Sequence, residues 1–227
     1  MEDAKLTRRG SLAGMAGLLL GLAGWEAADS DGAGPAGVAS GAVSCVLTPE
    51  QTEGPYYIAG EKYRRNITDG RPGVPLFLRL RVVDASTCKP IAGAAVDIWH
   101  ADALGVYSGF GAGATSRTFM RGIQKTDANG LARFHTVYPG WYQGRTVHIH
   151  VKVHLGGNVV HTGQLYFPDT VTDAVYRNPP YSSRGNRDVR NAADSIFRNG
   201  GSKSLVSVKK NSAGVYVATI MMGVHRS

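Results

Sequence analysis

Short segments in which apolar and polar residues alternate, separated by turn signals about every ten residues, recur along this chain and constrain its fold more than any other feature. From Leu76 to Val83 the apolar residues alternate with Arg79 and Arg81, which indicates a half-buried strand. The sequence Asp-Ala-Asn-Gly at 127–130 joins two such segments and is typical of a β-hairpin. Because little of the chain has helical periodicity, the sequence predicts an all-β fold: an antiparallel β-sandwich or barrel with long loops and one or two short helices.

The predicted elements follow from where the alternating segments begin and end. The predicted strands cover residues 76–83, 94–99, 118–126, 131–137, 146–155, 159–167, 205–210 and 215–222. A short helix is predicted at 169–177, and the basic stretch 178–201 is predicted to be irregular. No long internal repeat accompanies these elements, so we expect a single globular domain.

The first 28 residues have the features of an export signal. Lys5 and the pair Arg8-Arg9 precede a mild apolar run, residues 10–24, that is rich in glycine and alanine. This run of about fifteen residues is shorter than the roughly 20 apolar residues that span a membrane, which disfavours a membrane anchor. We therefore predict a twin-arginine signal peptide at 1–28 and an exported protein, periplasmic or secreted.

Downstream, residues 29–44 are predicted to be a flexible tether and residues 45–227 a folded domain that contains both cysteines, Cys45 and Cys88. In an oxidising compartment the two would pair and close a 43-residue loop, contributing on the order of 4 kcal/mol. The alternative is a lipid-modified Cys45, which a free thiol at Cys88 would favour. The apolar run ends too far before Cys45 for a good lipoprotein signal, so a disulfide is predicted.

The chain carries a formal net charge of +8. Its basic residues gather at 62–71 and 184–198, and neither an aromatic-interleaved basic stripe nor a nucleic-acid-binding motif accompanies them. We therefore predict a solvated basic surface, no nucleic-acid partner and no stable membrane anchor.

A His-x-His pair is the strongest sign of chemistry. Apolar and polar residues alternate from Thr146, so His148 and His150 leave the same face of a strand, with Cα atoms about 7 Å apart, and can converge on one metal ion. Tyr142 follows the turn signal at 138–140 and can reach the same point from the preceding loop. Because a phenolate and two imidazoles form a hard, basic ligand set, the pattern points to iron(III).

Other arrangements of these residues remain open. His154 lies on the same strand face and permits a zinc or copper site with His148 and His150, although it is about 13 Å along the strand from His150. A second tyrosine, Tyr107, follows Gly105, which permits a tight backbone. The remaining histidines are predicted to be structural or at the surface: His100, His135, His161 and His225.

The chain resembles the intradiol ring-cleavage dioxygenases over roughly residues 48–167. The motifs that carry the resemblance are Glu53-Gly-Pro-Tyr-Tyr57, Asp97-Ile-Trp-His-Ala-Asp-Ala-Leu-Gly-Val-Tyr107-Ser, Phe119-Met-Arg-Gly-Ile-Gln124 running on to Gly130, Pro139-Gly-Trp-Tyr142, Arg145-Thr-Val-His148-Ile-His150 and Gln164-Leu-Tyr-Phe167. Within the family the chain is most similar to the protocatechuate 3,4-dioxygenase type, and its leader suggests an exported subgroup.

The resemblance implies an antiparallel β-sandwich of the intradiol dioxygenase type and a non-haem Fe(III) held by four residues: Tyr107, Tyr142, His148 and His150. It also implies that a catechol and O2 react to a cis,cis-muconate-type diacid. Tyr142 would act as ligand and base in turn, Arg145 would stabilise a carbanion-like ring, and Gln164 would line the site. The partners implied are a small catechol and O2, with a possible homo-oligomer.

One rival from another functional class remains. A non-catalytic, prealbumin-like carrier or adhesion module would also contain hairpin patterns such as those at 90–96 and 126–130. Such a module has no reason to align two tyrosines with two histidines. Colour distinguishes the two, because tyrosinate bound to Fe(III) is red and a carrier would be colourless.

Overall fold

The computed structural model describes residues 45–110 and 113–226, so the predicted signal peptide and tether lie outside the described residues. These described residues contain eight strands, and each predicted strand coincides with one of them to within a few residues. They are β1 (Pro75–Asp84), β2 (Ala95–Trp99), β3 (Arg121–Lys125), β4 (Leu131–Val137), β5 (His148–Leu155), β6 (Asn158–Tyr166), β7 (Ser207–Lys210) and β8 (Tyr216–Val224).

The strands form two four-stranded sheets, in the orders β4-β1-β8-β7 and β3-β2-β5-β6. The predicted β-sandwich is thus confirmed. Its predicted antiparallel character is corrected at one position, because β1 and β8 pair in parallel, from Leu76 beside Tyr216 to Asp84 beside Val224. Alternation along a strand predicts its buried face but not the direction of its neighbour. In this sheet β8 lies between β1 and β7, and it pairs with β7 in the antiparallel direction.

Within residues 45–110 and 113–226 there are two short helices, α1 (Asp169–Val175) and α2 (Ser195–Arg198), and short 3₁₀ helices at Tyr181–Arg184, Asn191–Ala193 and Gly201–Ser204. The stretch at 178–201 is therefore more ordered than predicted. Asp194 caps α2, since its Oδ1 accepts hydrogen bonds from two backbone N–H groups of the first turn, at 2.8 and 2.9 Å. In the part of the chain that the structure describes, no helix is long and apolar enough to cross a membrane.

The core lies between the two sheets. The apolar side chains of one face of each sheet are completely buried there, including Leu76, Leu78, Leu80, Val96, Ile98, Ile149, Val151 and Val153. Because side chains alternate along a strand, His148 and His150 project from the opposite, outer face of β5.

A segment at residues 51–64, here called the cover segment, lies across that outer face. The Gln51 amide donates to the Thr162 carbonyl at 2.9 Å, and the Arg64 amide donates to the Ile123 carbonyl at 3.0 Å. These bonds attach the segment to both edge strands of the second sheet. The histidine pair is consequently buried although it faces away from the core.

Cys45 and Cys88 form a disulfide, with Cα atoms 5.3 Å apart. This confirms the predicted pairing. Because Cys88 is bonded, the condition that would have favoured a lipid-modified Cys45 is not met.

Candidate metal centre

The histidine pair converges as its spacing predicts. His148 and His150 begin β5, and their Nε2 atoms lie 3.1 Å apart on its outer face. The Nδ1 atom of His148 lies 2.7 Å from the Thr146 carbonyl oxygen. Since a carbonyl can only accept a hydrogen bond, this Nδ1 carries the proton, and Nε2 turns a lone pair toward His150.

Two tyrosines complete the cluster. The Tyr142 hydroxyl lies 3.2 Å from the Nε2 of His148. The Tyr107 ring lies 5.6 Å from that of Tyr142 and 6.2 Å from that of His150, measured between centroids. The structure therefore brings the four residues together, from the loop after β2, the loop before β5 and β5 itself.

A tight turn directs Tyr107 into the cluster. Gly105 has φ of +78°, and a Cβ there would collide with the Trp141 carbonyl oxygen, so the turn requires glycine. The Asp102 carboxylate accepts hydrogen bonds from the Leu104 amide at 2.9 Å and the Val106 amide at 3.0 Å, which holds the turn closed.

Aromatic rings hold the metal-binding side of the cluster in place. Trp99 stacks on His150 with centroids 4.9 Å apart, and Tyr56 of the cover segment stacks on Tyr107 at 4.3 Å. Gly54 has φ of +71°, and a Cβ on it would lie 3.2 Å from the His150 ring. Trp99, Tyr56 and Gly54 lie in motifs of the resemblance, but nothing in the sequence alone singles them out as supports of the site.

Burial keeps the two imidazoles neutral. It lowers the pKa of His148 to about 3 and that of His150 well below its ordinary value, with the nearby Arg145 charge adding to the effect. Both histidines therefore offer uncharged nitrogen lone pairs at neutral pH, the form in which imidazole binds a metal.

The phenols behave differently. Burial raises the pKa of Tyr107 well above its ordinary value, and burial also raises the pKa of Tyr142 although Arg145 opposes the shift. The Tyr107 hydroxyl is buried without a hydrogen bond of good geometry. Ionising even an ordinary phenol at neutral pH costs roughly 4 kcal/mol, so only a strongly charged cation would offset two such costs. Two phenols and two neutral imidazoles thus fit a hard trivalent metal ion.

The three-histidine alternative is wrong. Among the described residues, no group of three or more His, Cys, Asp or Glu side chains is placed to hold a metal ion. His154 lines a separate cavity with Lys125 and Gly156, at the other end of β5.

The remaining histidines are placed as predicted. The ring nitrogens of His100 lie 2.8 Å from the Ala101 carbonyl oxygen and 2.8 Å from the Thr136 hydroxyl, and His161 pairs with Glu50. His135 and His225 are exposed at the surface.

Arg145 and Gln164 are hydrogen-bonded to each other. The Nη2 of Arg145 donates to the Gln164 Oε1 at 2.6 Å, and its Nε donates to the Asp194 Oδ2 at 2.8 Å. Gln164 in turn donates to the Thr52 carbonyl at 3.0 Å. Asp194 was not predicted, because an aspartate in a basic stretch gives no sign of which distant residue it contacts.

A cleft of about 210 Å³ opens beside the two tyrosines. Its lining consists of Tyr56, Gly105, Val106, Tyr107, Phe110 and Tyr142. None of these described lining residues carries a charged side chain, so the cleft is aromatic and apolar in character.

The fold and this cluster place the protein among the dioxygenase β-sandwiches. The family model described as Dioxygenase matches residues 52–177, more than half of the chain. The chain belongs to the intradiol ring-cleavage dioxygenase family.

Similar solved structures and curated proteins agree with this family assignment. An intradiol ring-cleavage dioxygenase from Tetranychus urticae is 37% identical, with a TM-score of 0.76 over 80% of this chain and 95% of that one. The dioxygenase domain of a dioxygenase carbohydrate-binding protein fusion from Streptomyces sp. SirexAA-E is 32% identical, with a TM-score of 0.62 over 80% of this chain and all of that one. Catechol 1,2-dioxygenase 2 of Acinetobacter lwoffii is 39% identical over 107 residues, 44% of this chain. This chain covers only 38% of that curated relative's length.

Proposed function

We propose that this protein is an Fe(III)-dependent intradiol dioxygenase that cleaves the ring of catechol-type aromatics with O2 to cis,cis-muconate-type diacids. The observation that carries the proposal is the convergence of Tyr107 and Tyr142 on the facing Nε2 atoms of His148 and His150. The family membership and the relatives named as catechol and chlorocatechol 1,2-dioxygenases support it. A non-catalytic carrier module would explain neither the convergence of the four residues nor the similarity to these dioxygenases.

The four residues would hold the iron through two phenolate oxygens and two imidazole nitrogens. Bound Fe(III) would supply a Lewis acid that favours ionisation of the phenols and of a catechol and withdraws electron density from its ring. The neutral imidazoles leave the negative charge of the ligand set on the two tyrosines.

Tyr142 is the phenol suited to accept a proton from the substrate. It lines the cleft and is half-buried, whereas Tyr107 is 5% exposed. The nearby Arg145 guanidinium counteracts the effect of burial on the pKa of Tyr142 and so favours its phenolate. A proton taken up at the Tyr142 oxygen can therefore be released again during turnover.

Arg145 places a fixed positive charge beside the site. Its guanidinium is held at two points, by Gln164 and by Asp194, so it needs little reorganisation when negative charge develops on the ring. Gln164 acts through this contact and closes the wall of the site toward the cover segment.

The cleft favours neutral catechols. Its described lining offers aromatic and apolar contacts from Tyr56, Val106 and Phe110, and no cation to pair with a substrate carboxylate. Phe110 is 43% exposed at the rim, which leaves room for substituents that extend out of the cleft. We therefore propose catechol and substituted catechols, including bulkier lignin-derived ones, over protocatechuate.

Export by the twin-arginine route completes the proposal. The sequence of residues 1–28 and the presence of the Cys45–Cys88 disulfide support it. The experiment fuses residues 1–44 to a reporter that folds in the cytoplasm. Export that survives replacement of both Arg8 and Arg9 by lysine would contradict the assignment.

The enzymatic proposal is tested on purified protein by metal analysis, visible absorption and product identification with a panel of catechols. We expect about one iron per chain, a tyrosinate-to-iron charge-transfer band and muconate-type products. Tyr107→Phe should weaken the band and abolish turnover, whereas Tyr63→Phe, at an exposed position, should change neither. A colourless protein that cannot be reconstituted with iron would contradict the proposed iron-dependent activity. Turnover restricted to protocatechuate would contradict the proposed preference for other catechols.

A further inference from the structure

Asp194 lies beyond residue 177, where the family match ends, yet its carboxylate is buried beside the candidate site with only 2% of the residue exposed. Its Oδ1 accepts from two N–H groups at the start of α2, and its Oδ2 accepts from the Thr146 N–H at 2.9 Å. Three backbone donors therefore fix the carboxylate in place. The same Oδ2 also accepts the Arg145 Nε–H at 2.8 Å.

This geometry makes the carboxylate an anchor for one particular arginine. The Arg145 side chain is 17% exposed and that of Asp194 is 1% exposed, so both charges are largely removed from water. Removing one partner of such a pair leaves the other charge buried without compensation. Although burial opposes the shift, the Arg145 hydrogen bond lowers the pKa of Asp194, so the carboxylate is ionised at neutral pH.

The anchor determines where the guanidinium points. With Nε bound to Asp194 and Nη2 bound to Gln164, the guanidinium plane is held at two points, a geometry that a lysine cannot reproduce. The Arg145 charge is thereby kept beside the Tyr142 hydroxyl, the group assigned above to proton transfer.

We propose that Asp194 is a positioning residue for the ring-cleavage reaction: it holds the Arg145 guanidinium in its working orientation and so makes the C-terminal stretch part of the active site. The inference rests on the proposed function. Asp194 itself contacts no substrate, and its effect passes through Arg145.

The first test uses metal-free protein and does not depend on activity. In ¹⁵N-labelled protein we expect an Arg145 Nε–H signal that exchanges slowly with solvent and is assigned by its loss in Arg145→Gln. The signal should disappear in Asp194→Asn, because the single amide oxygen is needed to cap α2 and the NH2 group that then faces Arg145 can only donate. It should persist in Asp173→Asn, which removes an aspartate paired with Arg187 and Arg190 elsewhere. A slowly exchanging signal in Asp194→Asn would overturn the proposal.

The second test is a double-mutant cycle on the iron-loaded enzyme. We expect Asp194→Asn to lower kcat by about 10- to 100-fold with KM changed less than about threefold, the scale of a misplaced catalytic group. In an Arg145→Gln background the same substitution should change kcat less than about threefold. If Asp194→Asn lowers kcat as much in the Arg145→Gln background as in the wild type, Asp194 acts independently of Arg145 and the proposal is overturned.

A third variant separates folding from positioning. Asp194→Ser retains a side-chain cap for α2 but offers no second oxygen to Arg145. If Asp194→Asn does not fold, Asp194→Ser takes its place in both tests, with the same expected loss of the Arg145 signal and the same fall in kcat. Asp173→Asn should leave kcat within about threefold of the wild type in all cases. If the wild-type protein binds no iron or cleaves no catechol, the proposed function is wrong, while the nitrogen-proton signal still decides whether Asp194 fixes Arg145.

Discussion

The indole ring of Trp99 lies against the imidazole of His150 with the two planes 3° from parallel and the ring centroids 4.9 Å apart. Trp99 is the last residue of β2 and pairs with His150 across the second sheet. The cover segment closes over this pair, with Tyr57 packed against the indole at 4.8 Å. His150 is thus oriented by stacking as well as by its own strand.

The indole can be tested by two substitutions at the same position. Trp99→Ala should lower the free energy of unfolding by about 3–5 kcal/mol and reduce iron retention, because it opens a cavity against the ring of His150. Trp99→Phe should cost about 1 kcal/mol and retain iron, because a ring remains and the buried Trp99 Nε1, which lacks a hydrogen-bond partner, is removed. Chemical unfolding and iron content after a chelator challenge measure both effects. Equal iron loss in the two variants would contradict the stacking role.

The turn before Tyr107 makes a second prediction. Gly105→Ala introduces a Cβ at positive φ and against the Trp141 carbonyl, so it should displace Tyr107 and weaken the charge-transfer band, with a stability cost of about 1–3 kcal/mol. Gly214→Ala is the matched control, since Gly214 also has positive φ, at +75°, but has open space around it. The control should cost about 1 kcal/mol and leave the band unchanged. A band that survives in Gly105→Ala would show that the turn does not direct the phenol.

The stability of the metal-free protein should depend on pH through His100. Burial lowers the pKa of His100 from its ordinary 6.5 to about 4, so between these values the unfolded chain binds a proton that the folded one does not. The free energy of unfolding should therefore be highest above pH 6.5 and fall as the pH drops toward 4. His100→Gln should reduce the slope of this dependence by about one proton, as measured by urea unfolding across the pH range. An unchanged slope would show that His100 is protonated in the folded protein.

The disulfide should stabilise the fold without supporting the metal centre. Replacing Cys45 and Cys88 together by serine should lower the free energy of unfolding by about 4 kcal/mol, according to the chain-entropy model for a 43-residue loop. The bridge lies beside Asp84 at the end of β1, in the first sheet, whereas the cluster lies on the second. Iron content and the visible spectrum at a temperature where the variant is folded should match the wild type, and a loss of iron there would contradict this separation.

Much of the fold follows from local pattern. The hairpin signal at 127–130 and the alternation before and after it predict β3 and β4, because side-chain period and turn chemistry are properties of consecutive residues. The convergence of His148 with His150 is predictable for the same reason. The joining of Tyr107 to them was implied only by resemblance to a family, since about forty residues separate it from the pair.

Other features depend on contacts between distant segments. The parallel pairing of β1 with β8 and the ordered stretch at 178–201 were not predicted, because neither strand direction nor capping across a loop is encoded in periodicity.

The sequence by itself determined the eight strands of the described residues, the face of β5 that carries the histidines, and a donor set of one phenol, Tyr142, and two imidazoles that suits Fe(III). Only the tertiary structure decided that Trp99 stacks on His150 and that Asp194 anchors Arg145. The physical reason is the range of the interactions. Alternation and turn chemistry act between neighbouring residues, whereas a buried charge pair depends on which distant segments the folded chain brings into contact.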